Sequence, residues 1–247
     1  MKLTFLGTSH GYAEKNRFTS GTLVEIGEHS YLIDAGAPIE ALMVNRDKPY
    51  SAIRGIFLTH MHSDHVCSLT SVIEPFLRFR YNDKAACFFP EKNGLEGFLA
   101  WMKTIHSDPE QVKKIVRCEV THAGVIFENE DLRVTAIPTR HFAPVDGVPA
   151  SWSYLLESGG RSVLFTGDMA GGFPEYEENV KGRHFSLVVC EMAHADLSNV
   201  AEVLKKTDTD RMLISHYHTP RLTGYEEILP TFPFDVQFAV DGTEILV

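Results

Sequence analysis

Short apolar runs of three to six residues, most of them closed by turn-forming or polar positions, recur along the whole 247-residue chain. Their brevity and their β-branched and aromatic content predict buried strands rather than helices. Strands are expected at 3–6, 22–26, 31–33, 56–58, 132–137, 153–156, 162–165, 187–190 and 212–214, with a late one at 236–239. Residues 27–29, Gly-Glu-His, read as the turn of a hairpin between the second and third of these. Helical spacing of apolar positions is rarer. It covers 65–79, where Pro75 should bend or end the helix, 94–106, and 197–206 with Asp196 or Ser198 as the cap. Strands interspersed with helices, and no repeat or linker between them, predict one α/β domain over residues 1–247 built on two sheets.

Composition narrows the classes of function. Apolar residues at 44% and charged residues at 23% suffice for a large core and argue against disorder. The net charge of −10 argues against a broad electrostatic grip on extended nucleic acid or anionic lipid. A small anionic substrate remains compatible, because a bound divalent ion reverses the local field. No stretch reaches the roughly 18 apolar residues needed to span a bilayer. The N-terminus lacks the apolar core and small-residue cleavage site of a secretory signal, and Cys67, Cys87, Cys118 and Cys190 are widely spaced. A cytoplasmic protein with reduced thiols is expected.

Polar residues fall just past the expected strands: Asp34, His60, His141, Asp168, Glu191 and His216 each follow or end an apolar run. Strand ends in α/β sheets fix side chains in place while the loops leave room for a ligand. The densest block is Thr59-His60-Met61-His62-Ser63-Asp64-His65, three imidazoles and a carboxylate suited to zinc or a similar first-row ion. In an extended turn, His60 and His62 face one side while Asp64 and His65 turn toward a second position.

The block His60-x-His62-x-Asp64-His65 resembles the signature of the metallo-β-lactamase superfamily. The resemblance extends to Asp34 in Leu32-Ile33-Asp34-Ala35-Gly36, to His141 in Thr139-Arg140-His141, to Asp168 in Phe165-Thr166-Gly167-Asp168, and to His216 in Ile214-Ser215-His216. It implies a four-layer αββα sandwich with two divalent ions at one edge, zinc first, with manganese and iron compatible. One ion would take His60, His62, His141 and a bridging Asp168. The other would take Asp64, His65, His216 and the same Asp168, while Asp34 orients a ligand. Two ions sharing a carboxylate can acidify a bridging water and clamp the oxygens of a substrate.

Within the superfamily, Phe5-Leu6-Gly7-Thr8-Ser9, the 94–99 stretch and Ser215-His216-Tyr217-His218-Thr219-Pro220-Arg221 resemble the RNase Z and cyclic phosphodiesterase branch. Cys190-Glu191-Met192-Ala193-His194 resembles the place where that branch carries an acid and a nearby histidine, which makes His194 the candidate general acid and Asp64 its catalytic companion at the ions. RNase Z carries a tRNA-gripping arm between the third-motif histidine and the bridging aspartate. Here His141 and Asp168 lie only 27 positions apart, room for two strands and no arm. With the acidic charge, this favours a small phosphodiester or nucleotide over tRNA 3′-end cleavage. Lactone or ester hydrolysis on the same ligands is the other chemistry the set permits. His10 reads as a surface residue, His218 as a ligand-supporting residue or substrate contact, Tyr217 as packing, and Arg140 and Arg221 as ordinary ion-pair partners. Phe76, Phe79, Tyr81, Phe88 and Phe89 read as core, a pocket or the interface of a homodimer.

Overall fold

The computed structural model describes residues 1–80, 85–222 and 224–247. In the first half the strands are β1 (Lys2–Gly7), β2 (Gly21–Ile26), β3 (His29–Ile33), β4 (Ile53–Phe57), β5 (Ala85–Phe89) and β6 (Val116–Val120). The second half carries β7 (Gly124–Glu128), β8 (Arg133–Pro138), β9 (Trp152–Ser158), β10 (Arg161–Phe165), β11 (His184–Phe185), β12 (Leu187–Glu191), β13 (Asp208–Thr209), β14 (Arg211–Ser215), β15 (Asp235–Phe238) and β16 (Glu244–Leu246). The helices are α1 (Ile39–Val44), α2 (Ser63–Val66), α3 (Leu69–Phe79), α4 (Lys92–Thr104), α5 (Pro109–Ile115), α6 (Tyr176–Val180), α7 (Leu197–Leu204) and α8 (Tyr225–Ile228).

Two seven-stranded sheets result, ordered β16-β1-β2-β3-β4-β5-β6 and β15-β14-β12-β10-β9-β8-β7. Strands β1 to β3 form an antiparallel meander, and β3 to β6 run parallel. The second sheet mirrors this, with β7 to β10 antiparallel and β10, β12, β14 and β15 parallel. The parallel halves send their C-terminal ends, and the residues just beyond them, to a common rim.

Alternation along the strands sorts side chains into three cores. Phe57, Phe88, Tyr31, Phe127, Trp152 and Tyr154 pack between the sheets, with Phe57 and Phe88 stacked at 5.2 Å. Leu32, Ile56, Phe89, Val72 and Phe98 fill the space under α1, α3, α4 and α5. Leu164, Val188, Ile214, Val200 and Leu204 do so on the far side under α6, α7 and α8. Each buried aromatic or aliphatic side chain contributes about 1.5–3 kcal/mol of burial. The layering is helix, sheet, sheet, helix, as expected.

Several local expectations change. The 65–79 helix breaks at Cys67 and Ser68 rather than at Pro75, because Ser68 donates its amide to Ala35 O at 2.8 Å while its hydroxyl oxygen accepts from Ile39 N at 3.1 Å. Pro75 sits inside α3, at the loss of a single helical hydrogen bond. Asp196 does precede α7, but its side chain makes no capping hydrogen bond. His29 belongs to its strand, opposite Ile26, so the hairpin turn is Gly27-Glu28 alone. Strands β5, β6, β7 and β16 and helices α1, α5 and α6 lie outside the expected elements, although β5 is a continuous apolar run, buried along its whole length beside β4. The aromatic group divides: Phe88 lies between the sheets, Phe76 and Phe89 lie under the helices, Phe79 is exposed, and Tyr81 is outside the described residues. All four cysteines are free. Among the described residues no helix is long and apolar enough to cross a membrane.

Candidate active site

The rim gathers the predicted residues. Asp34 follows β3 at φ 60° and His216 follows β14 at φ 50°, both in the left-handed region that residues other than glycine rarely occupy. That backbone twist turns each side chain off its strand and into the rim. Gly167, at φ 59°, precedes Asp168, and a Cβ there would meet Trp152 O at 2.5 Å. Gly36 packs against the histidine block, where a Cβ would stand 2.1 Å from Asp64 O. The block is tied down further by Ala35 N to His65 O at 2.7 Å and by Tyr154 Oη to Leu58 O at 2.7 Å.

Two donor groups meet at Asp168. In the first, His62 Nδ1 lies 2.9 Å from His60 Nε2 and 3.2 Å from His141 Nε2. Asp168 Oδ2 is 3.7 Å from His60 Nε2 and 3.8 Å from His141 Nε2. In the second, His65 Nε2 and His216 Nε2 are 3.1 Å apart, with Asp64 Oδ2 at 3.7 and 3.4 Å from them and Asp168 Oδ1 at 3.6 Å from His216. Glu191 joins that group, all ligand atoms of His65, Asp168, Glu191 and His216 lying within 4.8 Å of one another.

These residues fit two divalent ions. His65 Nδ1 pairs with Asp34 Oδ2 at 2.7 Å, and His216 Nδ1 donates to Ser9 O at 2.9 Å. Both rings therefore carry a proton on Nδ1 and turn their Nε2 atoms toward each other. Two lone pairs at 3.1 Å repel unless a proton or a cation lies between them. Tetrahedral nitrogen ligands of one zinc ion, each about 2.05 Å from it, stand about 3.3 Å apart, close to these spacings. Asp168 Oδ1, although buried, has no hydrogen-bond partner.

Electrostatics follow the same division. Burial holds His60 well below the ordinary histidine range and brings His141 and His216 down to about 4, against the opposing pull of Asp168. These rings are neutral and ready as ligands. Burial also lowers His65, but the Asp34 carboxylate, with Glu191 and Asp168 behind it, outweighs that and raises it to about 10. Burial pushes Asp168 up, yet the His216, His194, His65 and His60 rings together hold it well below the usual carboxylate range. Burial, reinforced by Asp168 and Asp34 and opposed by His65, drives Glu191 well above that range.

His194 sits on the loop after β12, its Nε2 2.9 Å from Asp168 Oδ2 and its ring 4.8 Å from that of His141. The hydrogen bond to Asp168 raises its pKa against partial burial. Arg221 steadies this loop by donating to Ala193 O at 2.9 Å, and no ion pair to a described residue replaces that role. A cavity of about 370 Å³ opens over the groups, lined by His62, Asp64, Asp168, His194, His216 and Arg221 among others. Every predicted site residue reaches this rim. Sequence reasoning placed Glu191 at a strand end without a ligand role; its position in the strand-end series was the available signal. Tyr217 is packed, under the Arg17 guanidinium at 3.7 Å and against Phe238. His10 is half-buried rather than a free surface residue.

This fold and rim define a metallo-β-lactamase-fold protein related to RNase Z, with only 27 positions between His141 and Asp168 where RNase Z carries its arm. Human short-form tRNase Z superposes with a TM-score of 0.78 at 18% identity, covering 100% of this chain and 99% of that one. The metallo-beta-lactamase fold protein YhfI of Bacillus subtilis gives 0.76 at 15% identity over 99% and 98% of the two chains. By sequence, the ribonuclease Z of Synechococcus sp. (strain CC9311) is 29% identical over 174 residues, 69% of this chain and 53% of that protein. The chain spans about half the length of the curated relatives it matches. The chain belongs to the family described as anti-Pycsar protein Apyc1, whose model matches residues 1–224.

Proposed function

We propose that residues 1–247 act as one cytoplasmic hydrolase domain that cleaves a small phosphodiester, a cyclic nucleotide in particular. Family membership supports this substrate class, since the Apyc1 family degrades cyclic nucleotides. The observation that carries it is the rim itself: two histidine-rich donor groups sharing Asp168 at the floor of a cavity of about 370 Å³, a volume suited to a small molecule. His60, His62, His141 and Asp168 would hold one divalent ion, and Asp64, His65, His216 and Asp168 the other, with zinc the first choice for this donor set. When bound, the two ions supply an acidified water and neutralise charge developing on the phosphoryl oxygens.

The chain's own residues do the rest. Asp34 and Ser9 O keep the His65 and His216 rings turned toward the shared carboxylate. Asp64 adds a carboxylate beside both rings and lines the cavity. His194, half-exposed at the cavity wall and favoured in its protonated form by Asp168, delivers a proton to the departing alkoxide oxygen. Arg221 offers a guanidinium on the same wall for a phosphoryl oxygen.

The test is hydrolysis of a 3′,5′-cyclic nucleotide and of bis(p-nitrophenyl) phosphate by metal-counted protein, with a simple lactone and a tRNA precursor run beside them. Diester turnover is expected, with His194→Ala slowing it while sparing the metal count. Full activity in that variant would remove His194 as the proton donor. Turnover of the lactone alone, or of the tRNA precursor alone, would replace the substrate assignment.

A further inference from the structure

A second constellation of ligating side chains stands on the rim of the same cavity and shares no residue with the first. His10 lies in the loop after β1, Glu14 a few residues on, and His218 in the turn after β14. His10 Nε2 is 3.6 Å and His218 Nε2 3.8 Å from one and the same oxygen, Glu14 Oε1. The two rings touch, with centroids 4.1 Å apart, and the three ligand atoms all lie within 4.8 Å of one another. Those separations are too long for hydrogen bonds and near the spacing of ligands around a common ion. His10 Nε2 is buried and makes no hydrogen bond to a described residue.

Glu14 is held in place to present that oxygen. Its Oε2 accepts from Thr219 Oγ1 at 2.6 Å and from the Arg17 guanidinium at 2.8 Å, and Thr219 N reaches Oε1 at 3.2 Å. Arg17 is itself anchored on Tyr217 O at 3.1 Å and Thr219 Oγ1 at 2.8 Å. The internal partners thus take two bonds to Oε2 and one, from Thr219 N, to Oε1, whose remaining lone pair faces the imidazoles. A carboxylate oxygen between two imidazole nitrogens suits a cation and repels a phosphate.

We propose that His10, Glu14 and His218 form a third divalent-metal site, separate from the dinuclear centre and open toward the cavity that His10 and His218 help line. Imidazole and carboxylate ligands select zinc, manganese or iron(II) over calcium or magnesium. Three protein ligands leave a coordination position free, and the cavity beside it would let an anionic group of a bound molecule complete the shell.

Metal counting decides the matter. Protein stripped with chelator is equilibrated with buffered free zinc, and bound zinc per chain is measured by mass spectrometry for the wild type, Glu14→Gln, His218→Ala, His10→Ala and Asp168→Ala. Three equivalents are expected in the wild type and two in each of the rim variants. Asp168→Ala should keep the rim ion alone. Circular dichroism identifies any variant that fails to fold, and the remaining rim variants then carry the comparison. A wild type that saturates at two, both lost with Asp168→Ala, overturns the third site and leaves the dinuclear reading intact. A third equivalent that survives every rim substitution overturns the assignment of its ligands. One equivalent in the wild type, lost from the rim variants and kept by Asp168→Ala, overturns the dinuclear reading instead.

Discussion

The two halves of the Asp168 centre are built by different means. In the half made by His65 and His216 the rings are buried, and each is fixed by a hydrogen bond at its far nitrogen, to Asp34 and to Ser9 O. In the half made by His60, His62 and His141, only His60 has a polar partner at the far nitrogen among the described residues, the Thr59 hydroxyl at 3.1 Å. His62 and His141 lean instead on the ring of Phe142, which lies 5.4 Å from His60, 4.7 Å from His62 and 4.6 Å from His141. One half is oriented by polar contacts in the interior and the other, the mouth half with its exposed His62, chiefly by aromatic packing. Hydrogen bonding to a ligand's far nitrogen tunes its basicity as well as its direction. Packing sets direction only, so the mouth half should hold its ion with less help from the protein.

Removing the residue the halves share tests the comparison most severely. Asp168→Ala should empty both halves and lower kcat/KM by about 10³-fold or more, the equivalent of several kcal/mol of lost charge stabilisation. Zinc counting alongside cyclic-nucleotide turnover checks this. A variant that kept both ions would show that Asp168 bridges nothing. Next in size is Asp34→Asn, which keeps the shape of the side chain and removes its charge. It should weaken the buried half by about 10–100-fold in metal affinity and leave the mouth half unchanged. Competition with a graded chelator series resolves the two dissociation steps. Equal weakening of both steps would dissolve the distinction between the halves. Smaller still, Phe142→Ala removes ring contacts worth about 0.5–1.5 kcal/mol, so the mouth half should lose up to about tenfold in affinity. A shift of the tighter step in the same titration would contradict that.

The same contrast explains what was legible in the sequence. The block from His60 to His65, and single ligands such as Asp168 and His216, could be seen because each follows an apolar strand at a fixed place in the chain. The sandwich was legible for the same reason, through strands such as β10, β12 and β14 whose burial is written in their own residues. What supports the ligands was harder to see. Phe142 is an unremarkable aromatic in a loop, and its contact with three histidines exists only once β4 and β8 end at the same rim. Ser9 acts through a backbone carbonyl that has no sequence signature. Glu191 was visible as a strand-end acid, but its place among His65, Asp168 and His216 depends on β12 lying between β10 and β14. The break at Ser68 likewise comes from partners, Ala35 and Ile39, about thirty residues earlier.

The smallest effect expected is a pH dependence of the metal-stripped protein that again separates the two means of orientation. His141 and His216 are held near 4 by burial, while the unfolded chain protonates them near 6.5. Below pH 6.5 the unfolded state therefore takes up protons that the native state refuses. The stability these two rings contribute is complete above 6.5 and drains away as pH falls toward 4. His65 has the opposite sign. Despite burial, Asp34 raises it to about 10, so the native state keeps a proton that the unfolded chain gives up near 6.5. Its contribution is complete below 6.5 and is lost as pH rises toward 10. The melting temperature of stripped protein should accordingly peak near pH 6.5 and decline on both sides. Asp34→Asn should flatten the alkaline decline, because the raised pKa of His65 depends on that carboxylate. Loading with zinc should flatten it too, since an ion at Nε2 takes the place of the proton. An alkaline decline that persists unchanged in both cases would mean that the Asp34–His65 pair does not orient the buried half through charge.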